Sequence, residues 1–174
     1  LAEPEFVVDI GRISELKGIS ESDGKLVIGA LTTHHELESS NLVQQKVPIL
    51  AQTAAEIGDV QVRNKGTIGG SLAHADPAAD WPATILALDA EIKVVGPDGE
   101  RLIQATDFFQ ELYETALESE EILTEIRVPI PANNTKGTYL KLHQLASGFA
   151  LAGVAIVLTT SGDTCQEIAV GITG

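Results

Sequence analysis

The chain has 174 residues, with 25 acidic side chains against 11 basic ones, a single cysteine and no methionine. Its 44% apolar and 21% charged residues are enough for one packed core and argue against a disordered, collagenous or coiled-coil chain. A formal net charge of −14 repels phosphate backbones and anionic headgroups, which argues against nucleic-acid and membrane-surface binding.

The opening Leu1-Ala2-Glu3-Pro4 has neither the basic start nor the apolar stretch of a secretory signal. The longest apolar run, residues 149–158, is about half of the roughly 20 residues a spanning helix needs, and Gly153 interrupts it. The expected location is cytoplasmic. The acidic surplus reads as a solubilising surface or an adaptation to high salt, with a docking face for a basic partner as the alternative. Lacking even an initiator methionine, the sequence reads as a piece of something longer. Cys165, alone, can form no internal disulfide and hold no iron–sulfur cluster, so redox chemistry would need a bound organic cofactor.

In chain order, residues 6–10 and 25–31 are short β-branched or apolar runs around the turn Glu21-Ser22-Asp23-Gly24 and are expected as strands. Pro48 suits the first turn of a helix, and Leu50, Ala54 and Ile57 follow at helical spacing up to Gly58. Asp80-Trp81-Pro82 opens a second helix with Asp80 as its expected N-cap. Residues 91–95 and 101–105 flank the hairpin turn Gly96-Pro97-Asp98-Gly99. Residues 122–128, 137–143, 149–160 and 167–172 are four more expected strands, with Ser161-Gly162-Asp163 turning the last pair. The Pro129-Ile130-Pro131-Ala132-Asn133-Asn134 joint places a domain boundary, giving units 1–130 and 131–174. Strands and helices mix without βαβ alternation, so the expected class is α+β.

The segment that stands out is Gln61-Val62-Arg63-Asn64-Lys65-Gly66-Thr67-Ile68-Gly69-Gly70-Ser71, with three glycines in five positions bracketed by hydroxyl residues. Such glycines permit positive φ and close approach, and successive N–H groups could converge on a diphosphate. A tight turn between strands explains the same pattern. It is neither a G-x-G-x-x-G fingerprint nor a P-loop.

That segment, with Ala75-Asp76-Pro77-Ala78-Ala79-Asp80, Glu121-Ile122-Leu123-Thr124-Glu125-Ile126 and Tyr139-Leu140-Lys141-Leu142, resembles the FAD-binding medium subunit of the molybdenum hydroxylases. This family includes aerobic carbon monoxide dehydrogenase and xanthine dehydrogenase, and the separate-subunit, carbon monoxide dehydrogenase-like branch is the nearer one. The resemblance implies a vanillyl-alcohol-oxidase-type flavin domain: 1–130 would be its second lobe, with the first lobe and its diphosphate loop missing. Residues 131–174 would begin a truncated α+β C-terminal domain. Leu1-Ala2-Glu3-Pro4-Glu5-Phe6 looks like the entry to the second lobe.

The resemblance further implies FAD contacts at Thr67, Ile68, Gly69, Gly70 and Ser71, at Asp80 on the sugar-alcohol side, at Leu123 and Lys141 near the ring, and at Ile57. Read without it, Asp80 is a helix cap, Ile57 a core residue, and Lys141 an exposed strand lysine, because Tyr139, Lys141 and His143 alternate with Leu140 and Leu142. His34 and His35 read as surface or capping residues, His74 as a neighbour of the site, and Glu118-Ser119-Glu120-Glu121 as a solvated turn. No spacing supports a metal. The implied function is electron transfer through FAD, with no catalytic acid or base in this chain. A molybdenum-binding large subunit and a [2Fe-2S] small subunit are the implied partners. A direct flavin oxidase and a flavin-free, self-associating scaffold fragment are the alternatives.

Overall fold

The computed structural model describes residues 5–174, so the reading of Leu1 to Pro4 lies outside the described residues. Residues 6–10 are not a strand: Phe6, Val7 and Val8 are 80%, 87% and 80% exposed, so no sheet rewards their β-branched pattern. The first strands are β1 (Ile19–Ser22) and β2 (Lys25–Gly29), joined at Asp23-Gly24, where both residues take positive φ. Just past the expected strand 25–31, Thr33 caps α1 (His34–Ser39): its hydroxyl accepts from the Glu36 N–H while Glu36 reaches back to the Thr33 N–H. Then follow α2 (Asn41–Lys46), α3 (Pro48–Ala55), α4 (Val60–Arg63), α5 (Ile68–His74) and α6 (Asp80–Ala87). The glycine-rich segment is therefore the start of a helix, not a turn between strands.

The hairpin β3 (Glu91–Gly96) and β4 (Gly99–Gln104) leads into the one-turn α7 (Ala105–Phe108), the small ribbon β5 (Phe109–Glu111) and β6 (Glu114–Thr115), and β7 (Ile122–Pro129). The long strands β8 (Thr135–His143), β9 (Ala150–Ser161) and β10 (Thr164–Thr173) complete the chain. Beside the β5-β6 ribbon, the described residues form two larger antiparallel sheets, in orders β1-β2-β7-β3-β4 and β10-β9-β8, and the class is α+β as expected. No described helix is long and apolar enough to cross a membrane.

The five-stranded sheet buries Leu26, Ile28, Ile92, Val94, Ile126 and Val128 against Leu37, Leu50, Leu72, Trp81, Ile85 and Phe108. Its other face is ruled by charge pairs, Lys25 with Glu91 at 2.5 Å, Lys93 with Glu100 at 2.6 Å, and Arg127 with Glu125. At its far end Arg101 holds both oxygens of Glu121 at 2.7 Å, and these hydrogen bonds push that carboxyl down to about 2. The expected solvated turn thus contains a bidentate pair.

The three-stranded sheet inverts the expected polarity. Its inner face, against α3 and α6, carries Tyr139, Lys141, Ala155 and Thr173, whereas Leu140, Leu142, Ile168, Val170 and Ile172 point outward at 71%, 64%, 56%, 52% and 72% exposure. Lys141, expected outside, has a side chain only 1% exposed. An uncovered apolar face of this kind finds a partner. The chain by itself is expected to self-associate, and Leu142→Thr combined with Ile172→Thr to shift it toward monomer in sedimentation velocity. A wild-type chain that sediments as a single monomeric species at high micromolar concentration would contradict this.

Candidate functional site

Helix α5 begins at the paired glycines because Thr67 caps it, its hydroxyl accepting from the Gly70 N–H at 3.2 Å. The Thr67 and Thr33 caps face each other in an isolated antiparallel bridge, which sets the two helix starts side by side. None of Gly66, Gly69 and Gly70 has a positive φ, contrary to expectation. Gly69 is required by close approach: a Cβ there would lie 2.5 Å from Ala30 Cβ and 2.7 Å from the Ala30 carbonyl oxygen. Gly70 is exposed, and the one atom within 4 Å of a Cβ there would be Thr67 Oγ1 at 2.9 Å.

The expected set of free N–H groups is absent. Ile68 N–H donates to the Thr32 carbonyl, Gly69 N–H to the Ala30 carbonyl and Ser71 N–H to the Thr67 carbonyl, at 3.1, 2.9 and 3.0 Å. What this loop can offer a ligand is the Thr67 O–H proton, the Ser71 side chain and the open surface over Gly70. Leu123 is brought near it: the Thr124 carbonyl accepts from Ala30 N–H at 2.9 Å, and Ala30 in turn accepts from Gly69. Leu123 itself is 6% exposed and belongs to the core.

Asp80, Lys141 and Ile57 form the second cluster. Asp80 is not the N-cap of α6; Ala79 occupies that position and makes no side-chain cap. The carboxylate of Asp80, 5% exposed, instead accepts from Lys141 Nζ at 2.9 Å and from the Tyr139 hydroxyl at 2.5 Å. Lys141 also donates to the Glu56 carbonyl at 3.0 Å, which ties it to the residue before Ile57. Burial, then the bond to Asp80, pushes the Tyr139 phenol well above its ordinary value, so it stays a donor at all physiological pH. Two buried charges are tolerable only when paired and hydrogen-bonded, and here both are.

The loop between the clusters, residues 75–79, is held by the three-stranded sheet. Thr173 Oγ1 lies 2.5 Å from the Pro77 carbonyl and 2.6 Å from that of Ala79, and Ala150 N–H donates to Ala78 at 3.3 Å. Sequence reasoning missed Tyr139, and missed that Arg63 donates to Glu38 and to the carbonyls of Ile57 and Gly58, which fixes the end of α3. The available signal was that residues 150–158 are small or apolar on both faces, which leaves room for polar partners beneath β8.

A profile described as the FAD binding domain in molybdopterin dehydrogenase matches residues 1–131. The chain belongs to this family. This FAD-binding domain is 45% identical over 172 residues to the carbon monoxide dehydrogenase medium chain of Hydrogenophaga pseudoflava, covering 99% of this chain and 60% of that one. It is 38% identical to the glyceraldehyde dehydrogenase medium chain of Sulfolobus acidocaldarius, covering 95% and 58%. A solved carbon monoxide dehydrogenase from H. pseudoflava superposes with a TM-score of 0.96 at 45% identity, covering 99% of this chain and 60% of that chain. Quinoline 2-oxidoreductase from Pseudomonas putida 86 superposes at 0.87 and 36% identity, covering 95% and 57%. The chain thus spans about 60% of the length of the first two relatives.

The residues present fit a flavin dinucleotide. The open surface at Gly70 admits backbone approach without a Cβ in the way, and the buried Asp80 carboxylate, an acceptor only, suits a ligand hydroxyl or N–H.

His34, expected at the surface, is 4% exposed, and its Nδ1 accepts from Trp81 Nε1 at 3.1 Å. His35 and His74 are exposed, His74 with its ring centroid 5.3 Å from that of Tyr113. Burial, helped by the Arg63 charge, pushes His34 from 6.5 down to about 4. The unfolded chain takes up this proton first, so the stability owed to neutral His34 is complete above pH 6.5 and is lost as pH falls toward 4, by about 3 kcal/mol in all. Urea midpoints are expected to fall across that interval, and His34→Gln to flatten the fall. Parallel curves for the two proteins would assign the loss elsewhere.

Proposed function

We propose that this chain forms part of the FAD-binding medium subunit of a molybdenum-containing dehydrogenase, close to carbon monoxide dehydrogenase. Its relatives of that name share its fold over nearly the whole chain. Residues 1–130 would be the second lobe of the flavin domain and 131–174 the start of the C-terminal domain. Electrons would enter from the [2Fe-2S] clusters of a small subunit, fed by a molybdenum-binding large subunit, and leave to an external acceptor. When bound, FAD supplies the redox chemistry; the chain binds, orients and desolvates it.

The observation that carries this reading is the buried Asp80–Lys141 pair, set at 2.9 Å by two segments 61 residues apart and tied through Glu56 to Ile57. In this role Asp80 would hold the sugar-alcohol side of the ligand, and Lys141, paired with it, would lie toward the ring. Thr67, Ile68, Gly69, Gly70 and Ser71 would line its phosphate end, with Leu123 and Ile57 as apolar walls. The test is a titration of FAD fluorescence with this chain and with a longer chain that adds the portion present in the relatives. Saturable quenching is expected for both, at least a hundredfold tighter for the longer chain, because two extra bonds to a charged diphosphate contribute roughly 1.5–3 kcal/mol each. Binding to neither chain would overturn the flavin role and favour a scaffold.

A further inference from the structure

Within the flavin reading just proposed, we infer that Tyr139 is a positioning residue: its hydroxyl, bonded to Asp80 Oδ1, fixes the carboxylate so that its free lone pairs face the ligand. Tyr139 is 4% exposed, and its oxygen lies 2.5 Å from Asp80 Oδ1 while Lys141 Nζ occupies Oδ2 at 2.9 Å. With one donor on each oxygen, the carboxylate cannot rotate about χ2 without breaking a buried bond. Lys141 alone would not achieve this, since an ammonium is a rotatable point charge and can follow a turning carboxylate. The phenol, on a two-torsion ring packed between β9 and α6, cannot follow.

The neighbouring strand is shaped for this bond. A Cβ on Gly153 would collide with the Tyr139 hydroxyl oxygen, so glycine at that position of β9 leaves the space in which the hydroxyl sits. Gly153 pairs in register with Lys141 and lies diagonally across from Tyr139, whose partner is Ala155, so the vacant position borders both residues that hold Asp80. Because the phenol keeps its proton at every physiological pH, the bond has one direction, from Tyr139 to Asp80. Asp80 is thereby held as an acceptor toward the ligand.

The experiment measures FAD dissociation constants and unfolding midpoints for the full 174-residue chain, Tyr139→Phe, Asp80→Asn, the double variant and Thr53→Val. Thr53 supplies the control: its buried bond to Thr84 at 2.8 Å also supports α6 but does not touch Asp80. Tyr139→Phe is expected to weaken FAD about tenfold and to add nothing once Asp80 is Asn. Thr53→Val is expected to lose comparable stability with FAD affinity within twofold of wild type. If Tyr139→Phe fails to fold, Gly153→Ala, which keeps the hydroxyl but crowds it, takes its place in the same comparison. Unchanged affinity in Tyr139→Phe with a loss in Asp80→Asn would overturn the positioning role and leave the flavin reading intact. Equal losses in Tyr139→Phe and Thr53→Val would also overturn it. No effect of Asp80→Asn would overturn the positioning role together with the part given to Asp80 in the flavin reading. If the 174-residue chain binds no FAD, the same variants are compared in the longer chain, and binding by neither chain would overturn both.

Discussion

Asp80→Ala is expected to lower the stability of the chain by about 3–5 kcal/mol in urea denaturation, the usual cost of removing one member of a buried ion pair. The substitution leaves the Lys141 ammonium 1% exposed with only the Glu56 carbonyl for company, and leaves the Tyr139 hydroxyl without an acceptor. For a domain whose whole stability is about 5–15 kcal/mol, that is a fifth or more of it. Replacing both charges together, with Asp80→Leu and Lys141→Met, is expected to recover most of the loss, because the larger part of the cost is the orphaned charge. A loss under about 1 kcal/mol for the single variant would mean that water reaches the pair.

The two adjacent glycines of α5 are expected to respond in opposite ways. Gly69→Val forces a branched side chain into Ala30, at 2.5 Å from its Cβ and 2.7 Å from its carbonyl oxygen. The helix cannot back away without breaking the Gly69 N–H bond to that carbonyl at 2.9 Å. Overpacking of this sort costs about 1–3 kcal/mol, and the lost backbone bond adds to it. Gly70→Ala brings a Cβ to 2.9 Å from Thr67 Oγ1, so the cap must give slightly. The gain of about 1 kcal/mol from Ala over Gly in a helix offsets a weakened cap of similar size, and the urea midpoint is expected to stay within about 1 kcal/mol of wild type while FAD binding weakens. The pair is read by measuring midpoint and flavin affinity on the same samples. Retained stability in Gly69→Val, or wild-type affinity in Gly70→Ala, would contradict the division of roles between packing and ligand approach.

Much of the β structure was legible because it rests on local chemistry. The turns at Asp23-Gly24, Gly96-Gly99 and Ser161-Asp163 lie where their residues require, and the alternating runs between them pair as neighbours. Residues 6–10 misled because β-branched composition measures fit to a pleated surface, and no neighbouring strand among the described residues supplies one. The glycine segment misled for another reason. Gly69 meets Ala30, just past β2, and Gly66 meets the His34 ring, both contacts of long sequence range, and single-sequence reasoning sees three glycines only as a flexible turn. The face of β8 was inverted because alternation gives the period of a strand and not its sign. Which of Leu140 and Lys141 is inside depends on Asp80, some 60 residues away.

The outward apolar plate of β8, β9 and β10 has an electrical consequence. Its outward positions, including Leu140, Leu142, Val154, Ile156, Ile168, Val170 and Ile172, carry no carboxylate and one cation, Lys136, so the whole acidic surplus behind the net charge of −14 lies on the remaining surfaces. Two copies meeting plate to plate would bring two strongly anionic bodies together, and at low ionic strength their mutual repulsion opposes the contact. The Debye length shrinks from about 30 Å at 0.01 M to about 3 Å at 1 M salt, which removes that repulsion while leaving apolar burial in force. Association through this face should therefore strengthen with salt, the reverse of a contact made by ion pairs, and a basic partner surface around an apolar centre would be captured most readily in dilute buffer.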